Sequence, residues 1–271
     1  MTSSTEIESE KMISEGLSYA KLGKHKEAIS FFDKVLKTHP HNIEALYQKG
    51  LVLANLNKNK EAMSCFEKIL EKEPNHIAAL NNLGNSYSEM QQFERATGFY
   101  DKALKLDPNY TPALYNRGIA QVRIGKYDDA LVHLNRVLNV EPENISALYY
   151  KGLVLGKLKK HDDAVICFDK VLEKEPENFE AVFYKATELA ELKKHNEAII
   201  LFDKILKEHP KNGTVIYAKA RSKAEIGDNN DALVLLAQAI SYYGKTIKGW
   251  ATKDSSFDRL KEDLKFKMIV K

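Results

Sequence analysis

Six prolines, Pro40, Pro74, Pro108, Pro142, Pro176 and Pro210, stand 34 residues apart without a slip, and only Pro112 falls outside the series. A fixed period of this length means one supersecondary unit used many times, stacked as a solenoid and not folded around a single centre. The usual product of such a chain is surface. The sequence therefore speaks to the class of function more than to the identity of a partner.

The rest of the unit repeats with the prolines. Units start near residues 9, 43, 77, 111, 145, 179 and 213 and fill 1–246, with Gly244 where the seventh proline would fall. Position 8 of the unit is Gly16, Gly50, Gly84, Gly118, Gly152, Ala186 and Ala220. Position 20 is Ala28, Ala62, Ala96, Ala130, Ala164, Ala198 and Ala232. Position 24 is large and apolar throughout: Phe32, Phe66, Tyr100, Leu134, Phe168, Phe202 and Leu236. Apolar residues recur at three, four and seven, which is helical spacing. The small residues mark where two helices cross closely, and the large ones fill the space around the crossing. Each proline ends a second helix, because it lacks an N–H and clashes with the preceding turn. Asn42, Asn109, Asn144, Asn178 and Asn212 follow and suit the cap of the next helix. Thr111–Pro112 reads as a cap followed by proline at the first helical position. The unit is helix, turn, helix, turn.

The pattern resembles the tetratricopeptide repeat. The third unit carries the likeness best, in Ala79-Leu80-Asn81-Asn82-Leu83-Gly84-Asn85-Ser86-Tyr87 followed by Ala96, Tyr100, Ala103 and Pro108. The resemblance implies an all-α, right-handed superhelical solenoid of antiparallel helix pairs. It also implies that the first helix of each unit lines a concave face, where partner peptides bind.

Carried onto this chain, that face has two zones. Asn81, Asn82, Asn85 and Asn116, beside Tyr47, form an amide zone. Side-chain amides both donate and accept, and suit the backbone of an extended peptide. Tyr115, Tyr149, Tyr150, Phe183 and Tyr184, with Ile119 and Leu153, form an aromatic zone suited to an apolar anchor. Arg123 and Lys157 add positive charge and favour an acidic residue in the ligand. The clamp by which chaperone-binding members hold paired carboxylates is incomplete. Asn85 and Asn116 match it, but Asn81, Ser146 and Tyr150 stand where it needs cations.

Composition narrows the classes further. The net charge of +3 comes from 41 basic and 38 acidic residues, a mixed surface without the basic stripe that nucleic-acid binding needs. There is no apolar run long enough to span a membrane, and the first ten residues are polar and acidic, unlike a signal peptide; a cytoplasmic location is expected. Cys65 and Cys167 lie six helices apart, which at roughly 8–10 Å per helix rules out a bridge between them. Both read as small buried apolar groups.

Chemistry is sparse. His25, His161 and His195 share position 17, in different units, and read as solvated turn residues too scattered to share a metal. No phosphate loop or nucleophile motif occurs. Asp128–Asp129 and Asp162–Asp163 read as first-turn acids, not as acid/base pairs. No cofactor, metal or catalytic role is expected. Residues 247–271 leave the period and resemble a closing segment, with Trp250, Phe257, Leu260 and Leu264 expected to cover the last core layer. The expected function is a non-enzymatic adaptor that binds a protein or peptide. Alternatives are a self-associating structural module, with a possible homo-oligomer, or the targeting subunit of an enzyme complex.

Overall fold

The computed structural model describes residues 4–271 and is all-α; no strand occurs among the described residues. Two compact units divide the chain, 1–142 and 143–271. The first holds α1 (Ser4–Lys21), α2 (His25–Thr38), α3 (Ile43–Asn55), α4 (Asn59–Lys72), α5 (Ile77–Glu89), α6 (Phe93–Leu106), α7 (Thr111–Ile124) and α8 (Tyr127–Val140). The second holds α9 (Ile145–Lys157), α10 (His161–Lys174), α11 (Phe179–Glu191), α12 (His195–Glu208), α13 (Gly213–Glu225) and α14 (Asn229–Ala251). A 3-10 turn (Ser255–Leu260) and α15 (Leu264–Val270) end it. Within each unit, consecutive helices pack in tandem as a solenoid.

Local chemistry sets the helix ends. Asn42, Asn144, Asn178 and Asn212 each accept, through Oδ1, from the N–H three residues on, at 2.8–3.2 Å. This satisfies one of the orphan donors of the first turn. The ring of His76 does the same for α5, with Nδ1 accepting from Ala79 N–H at 3.1 Å. Asn109 is not a cap: Tyr110 precedes α7, and Thr111 is already its first helical residue. The second helices stop two residues short of each periodic proline, as α2 does at Thr38 and α12 at Glu208. Helix α14 runs on because it meets Gly244 instead. That residue takes φ 48° and ψ −121°, kinks the helix and lets it resume to Ala251.

The seven position-20 alanines are all fully buried, as are Phe32, Phe66, Phe168 and Phe202 at position 24. The rings of Phe66 and Phe168 lie against Gly50 and Gly152, where a Cβ would come within 2.8 Å of them. A second set of small residues was not singled out by the sequence reading. Ala45, Ala79, Ala113, Ala147 and Ala181, at position 3, are fully buried beneath the caps.

The closing segment departs from expectation in part. Phe257 and Leu260 join the core of the last helix pair, at 0% and 3% exposed. Leu264 does not, at 77% exposed, and Phe266 takes its place at 3%. Residues 255–260 form a 3-10 turn with three residues per turn, so the α-helical spacing that put Leu264 on the buried face does not apply. Trp250 is also left half open, at 45%.

Candidate functional site: the face of the first helices

In the first unit, the amide side chains are hydrogen-bonded among themselves and to two tyrosines. Asn82 Nδ2 donates to the Tyr47 hydroxyl at 3.1 Å, and Asn116 Nδ2 donates to Asn81 Oδ1 at 3.1 Å. The Tyr100 hydroxyl donates to Asn85 Oδ1 at 2.9 Å. Asn81 is only 4% exposed, which corrects its assignment as a ligand-facing group. Its carbonyl oxygen is spent on Asn116, so it positions that side chain. Tyr47, Asn82, Asn85, Tyr115, Asn116 and Ile119 remain partly open, and Arg123 is exposed.

In the second unit, helices α9 and α11 bring the aromatic zone together. The Tyr149 ring lies 5.5 Å from Tyr150 and 6.0 Å from Tyr184, both edge-on, and Phe183 lies 5.5 Å from Tyr184. Leu153 is half-buried nearby in the sequence of α9, and Lys157 is exposed. Burial, and after it the neighbouring Tyr184 and Glu180, push the Tyr149 phenol well above its ordinary value. It is a fixed neutral hydroxyl and not an acid. Beside Tyr149 and Tyr150 opens a cleft lined by Glu143, Glu175 and Glu180. The charged residues lining that cleft are all acidic, with Glu143 paired to Lys174 at 2.9 Å, a feature the period alone did not reveal.

Further along the same unit, Tyr217 of α13 sits in the register position of Tyr149. Its hydroxyl donates to Asp254 Oδ2 at 2.8 Å, and its ring centroid lies 5.6 Å from that of Trp250. Asp254 also meets Arg221 Nε at 2.6 Å. Burial opposes the charge on Asp254, but the Ser256 N–H, Arg221 and the Tyr217 hydroxyl together hold its carboxyl below the usual range. Tyr217 and Arg221 carried a sequence signal, their place in the repeat. Asp254 carried none, since it lies outside the period.

The histidines at position 17 are not solvated turn residues. Each is the first residue of a second helix. His195 is 9% exposed, and His161 Nδ1 lies 2.6 Å from Glu188 Oε2 of the following repeat. Both cysteines are free and buried, and burial raises their thiol pKa values, which makes them poor nucleophiles. Among the described residues no cluster of three His, Cys, Asp or Glu side chains is arranged to hold a metal, and no helix is long and apolar enough to cross a membrane.

Comparison with known families fits this geometry. Residues 19–130 match the family described as Psidin, N-terminal TPR repeats region. Residues 115–172 match the tetratricopeptide repeat, and 157–239 match anaphase-promoting complex, cyclosome, subunit 3. Among solved structures the chain is similar to YrrB, described as a TPR protein with an unusual peptide-binding site. That likeness is 27% in sequence, with a TM-score of 0.61, over 70% of this chain and 98% of YrrB. MamA is 26% identical, with a TM-score of 0.55, over 59% of this chain and 94% of its own. A tetratricopeptide repeat protein from Parabacteroides merdae, 19% identical with a TM-score of 0.65 over 89% and 96% of the two chains, shares the fold. No curated protein matches. A tandem array of capped helix pairs with a small residue at every crossing is the architecture of an interaction scaffold. The chain is a tetratricopeptide-repeat protein.

Proposed function

We propose that this protein is a non-enzymatic scaffold that binds a protein partner through the side chains of its first helices. The array reads as seven repeats over 1–246, followed by the closing segment 247–271. The observation that carries the proposal is the ring cluster Tyr149, Tyr150, Phe183 and Tyr184 on α9 and α11. Half-open aromatic area of this kind is what interface anchors use, because rings bury much surface with little loss of rotamer freedom. In the first unit, Asn82, Asn85 and Asn116 offer amides to a ligand backbone, with Tyr47, Tyr115 and Ile119 beside them. Arg123 and Lys157 are placed for an acidic residue, and the Glu-lined cleft at Tyr149 and Tyr150 for a basic one. YrrB, a peptide-binding relative by its description, supports the reading.

The test is affinity. With a partner isolated from the source lysate, replacing Tyr150 and Tyr184 together by alanine should weaken binding by about 2 kcal/mol or more. Replacing Lys170, on the second helix α10, should leave it unchanged. A double variant that binds as tightly as the parent, with Lys170→Ala losing affinity, would place recognition on the second helices.

A further inference from the structure

The second unit contains a cavity of about 270 Å³ between α11, α13 and the closing segment. Its walls include Tyr184, Tyr217 and Trp250. Three of its lining residues carry a buried side-chain atom with no hydrogen-bond partner: Ser222, His195 and Arg221, whose Nε is ion-paired to Asp254 but not hydrogen-bonded. Ser222 Oγ, on a residue 1% exposed, makes no hydrogen bond, and neither does His195 Nδ1, on a residue 9% exposed. A buried polar atom left unpaired is costly, so its presence in a cavity wall points to a ligand. Burial keeps the His195 ring neutral, with Glu225 opposing that effect and Lys193 aiding it. A neutral imidazole has one nitrogen lone pair free to accept.

Charge decides the kind of ligand. Arg221 lines the cavity, but its Nε is held by Asp254 at 2.6 Å and its outer nitrogen lies 3.8 Å from Glu191. With that arginine offset by Asp254, the remaining lining charges are Glu191, Glu225 and the exposed Lys193, one acid in excess. Glu225 lies within ion-pair distance of no cation among the described residues. Acceptors thus outnumber free donors: two carboxylates, a hydroxyl and an imidazole nitrogen face a space bounded by π-faces. A guanidinium has five N–H donors in a planar fork, pairs with carboxylates and stacks on aromatic rings. An anion would meet two carboxylates, with Lys193, exposed at the rim, as the one lining cation outside an ion pair.

We propose that this cavity receives an arginine side chain of a partner peptide, with Glu225 and Ser222 as its principal acceptors and Trp250 as its wall. The peptide origin rests on the scaffold reading above; the cation chemistry does not.

Trp250 is the single tryptophan of the chain, so its emission reports the cavity directly. The full chain is titrated with the blocked peptide acetyl-Ala-Arg-Ala-amide, with its citrulline counterpart, which has the same shape without the charge, and with spermidine. A saturable change in emission is expected with the arginine peptide, with affinity at least tenfold weaker for the citrulline peptide. Glu225→Gln should weaken the arginine peptide about tenfold, and Ser222→Ala severalfold, with thermal melting confirming that both variants fold. Equal affinity for the citrulline peptide, no saturation at millimolar concentration, or undiminished binding by both folded variants overturns the proposal. Spermidine binding more tightly than the arginine peptide overturns the peptide assignment. Tyr150 does not line the cavity. Loss of partner affinity in Tyr150→Ala, with Glu225→Gln silent, would therefore remove the arginine site and leave the scaffold reading standing.

Discussion

The Tyr100 ring lies so close to Gly84 that a Cβ built there would come within 2.5 Å of its Cε1 carbon. The same relation joins Gly50 to Phe66 and Gly152 to Phe168, but at Gly118 the neighbour is the Leu134 side chain, at 3.3 Å. One sequence position thus carries two different tolerances. Gly84→Ala and Gly152→Ala should each destabilise by about 1–3 kcal/mol, through overpacking of the crossing. Gly118→Ala should be near neutral, since a small shift of a leucine is offset by the better helix propensity of alanine. Urea midpoints of the three variants decide it; a uniform cost across them would contradict the account.

A left-handed residue follows α1, α3, α5, α7, α9, α11 and α13, one or two positions past the helix end. Glycine fills the place at Gly23, Gly125 and Gly227, but Asn57, Gln91, Lys159 and Lys193 take φ near +60°. A side chain there strains the backbone against the preceding carbonyl. Lys159→Gly should stabilise the protein by about 0.5–1 kcal/mol, the strain relieved being larger than the entropy lost. Gly125→Ala should destabilise it. Thermal melts at matched pH check both signs.

Acidic residues of the second helices reach the next first helix sixteen positions on. Asp33–Lys49, Asp101–Arg117, Asp169–Lys185 and Asp203–Lys219 close at 2.5–2.8 Å. These aspartates are half exposed, so salt and solvent screen the pairs. A double-mutant cycle on Asp203 and Lys219 should give a coupling of about 0.2–1 kcal/mol that shrinks in molar salt. A coupling of several kcal/mol would show that the ladder, and not the apolar crossing, holds the repeats.

His133 is 6% exposed and its Nδ1 sits 2.8 Å from the Asp129 carbonyl oxygen. Burial lowers its pKa below the ordinary 6.5, and Arg117 and Arg136 lower it further, against the Asp129 carbonyl and Asp101. The folded ring stays neutral in the window between its depressed pKa and 6.5, while the unfolded chain takes up the proton. Stability therefore falls as pH drops through 6.5 and levels off below the folded value. His133→Gln should flatten the dependence of unfolding free energy on pH over that window. An unchanged slope would contradict the buried, neutral assignment.

The all-α solenoid was legible because each repeat reports the same environment again. One glycine says little, but Gly16, Gly50, Gly84, Gly118 and Gly152 at one register define a crossing. The alanines at position 3, Ala45, Ala79, Ala113, Ala147 and Ala181, repeat in the same way. Other features had no repetition to announce them. His76 caps α5 where α3, α9, α11 and α13 use asparagine, because a ring nitrogen accepts as an amide oxygen does. The exchange of Leu264 for Phe266 follows from a 3-10 turn that occurs once. At the site, the aromatic neighbours followed from register. The Tyr217–Asp254–Arg221 cluster did not, since it depends on where a nonperiodic segment folds back.

Hydrogen exchange on the partner-bound protein tests the central claim most directly. Full chain, with and without an isolated partner, is compared peptide by peptide. Added protection is expected in the first helices, α9 and α11 above all, with little change in α10 and α12. Protection confined to α10 and α12, with α9 and α11 unaltered, would contradict the assignment of recognition to the face of the first helices.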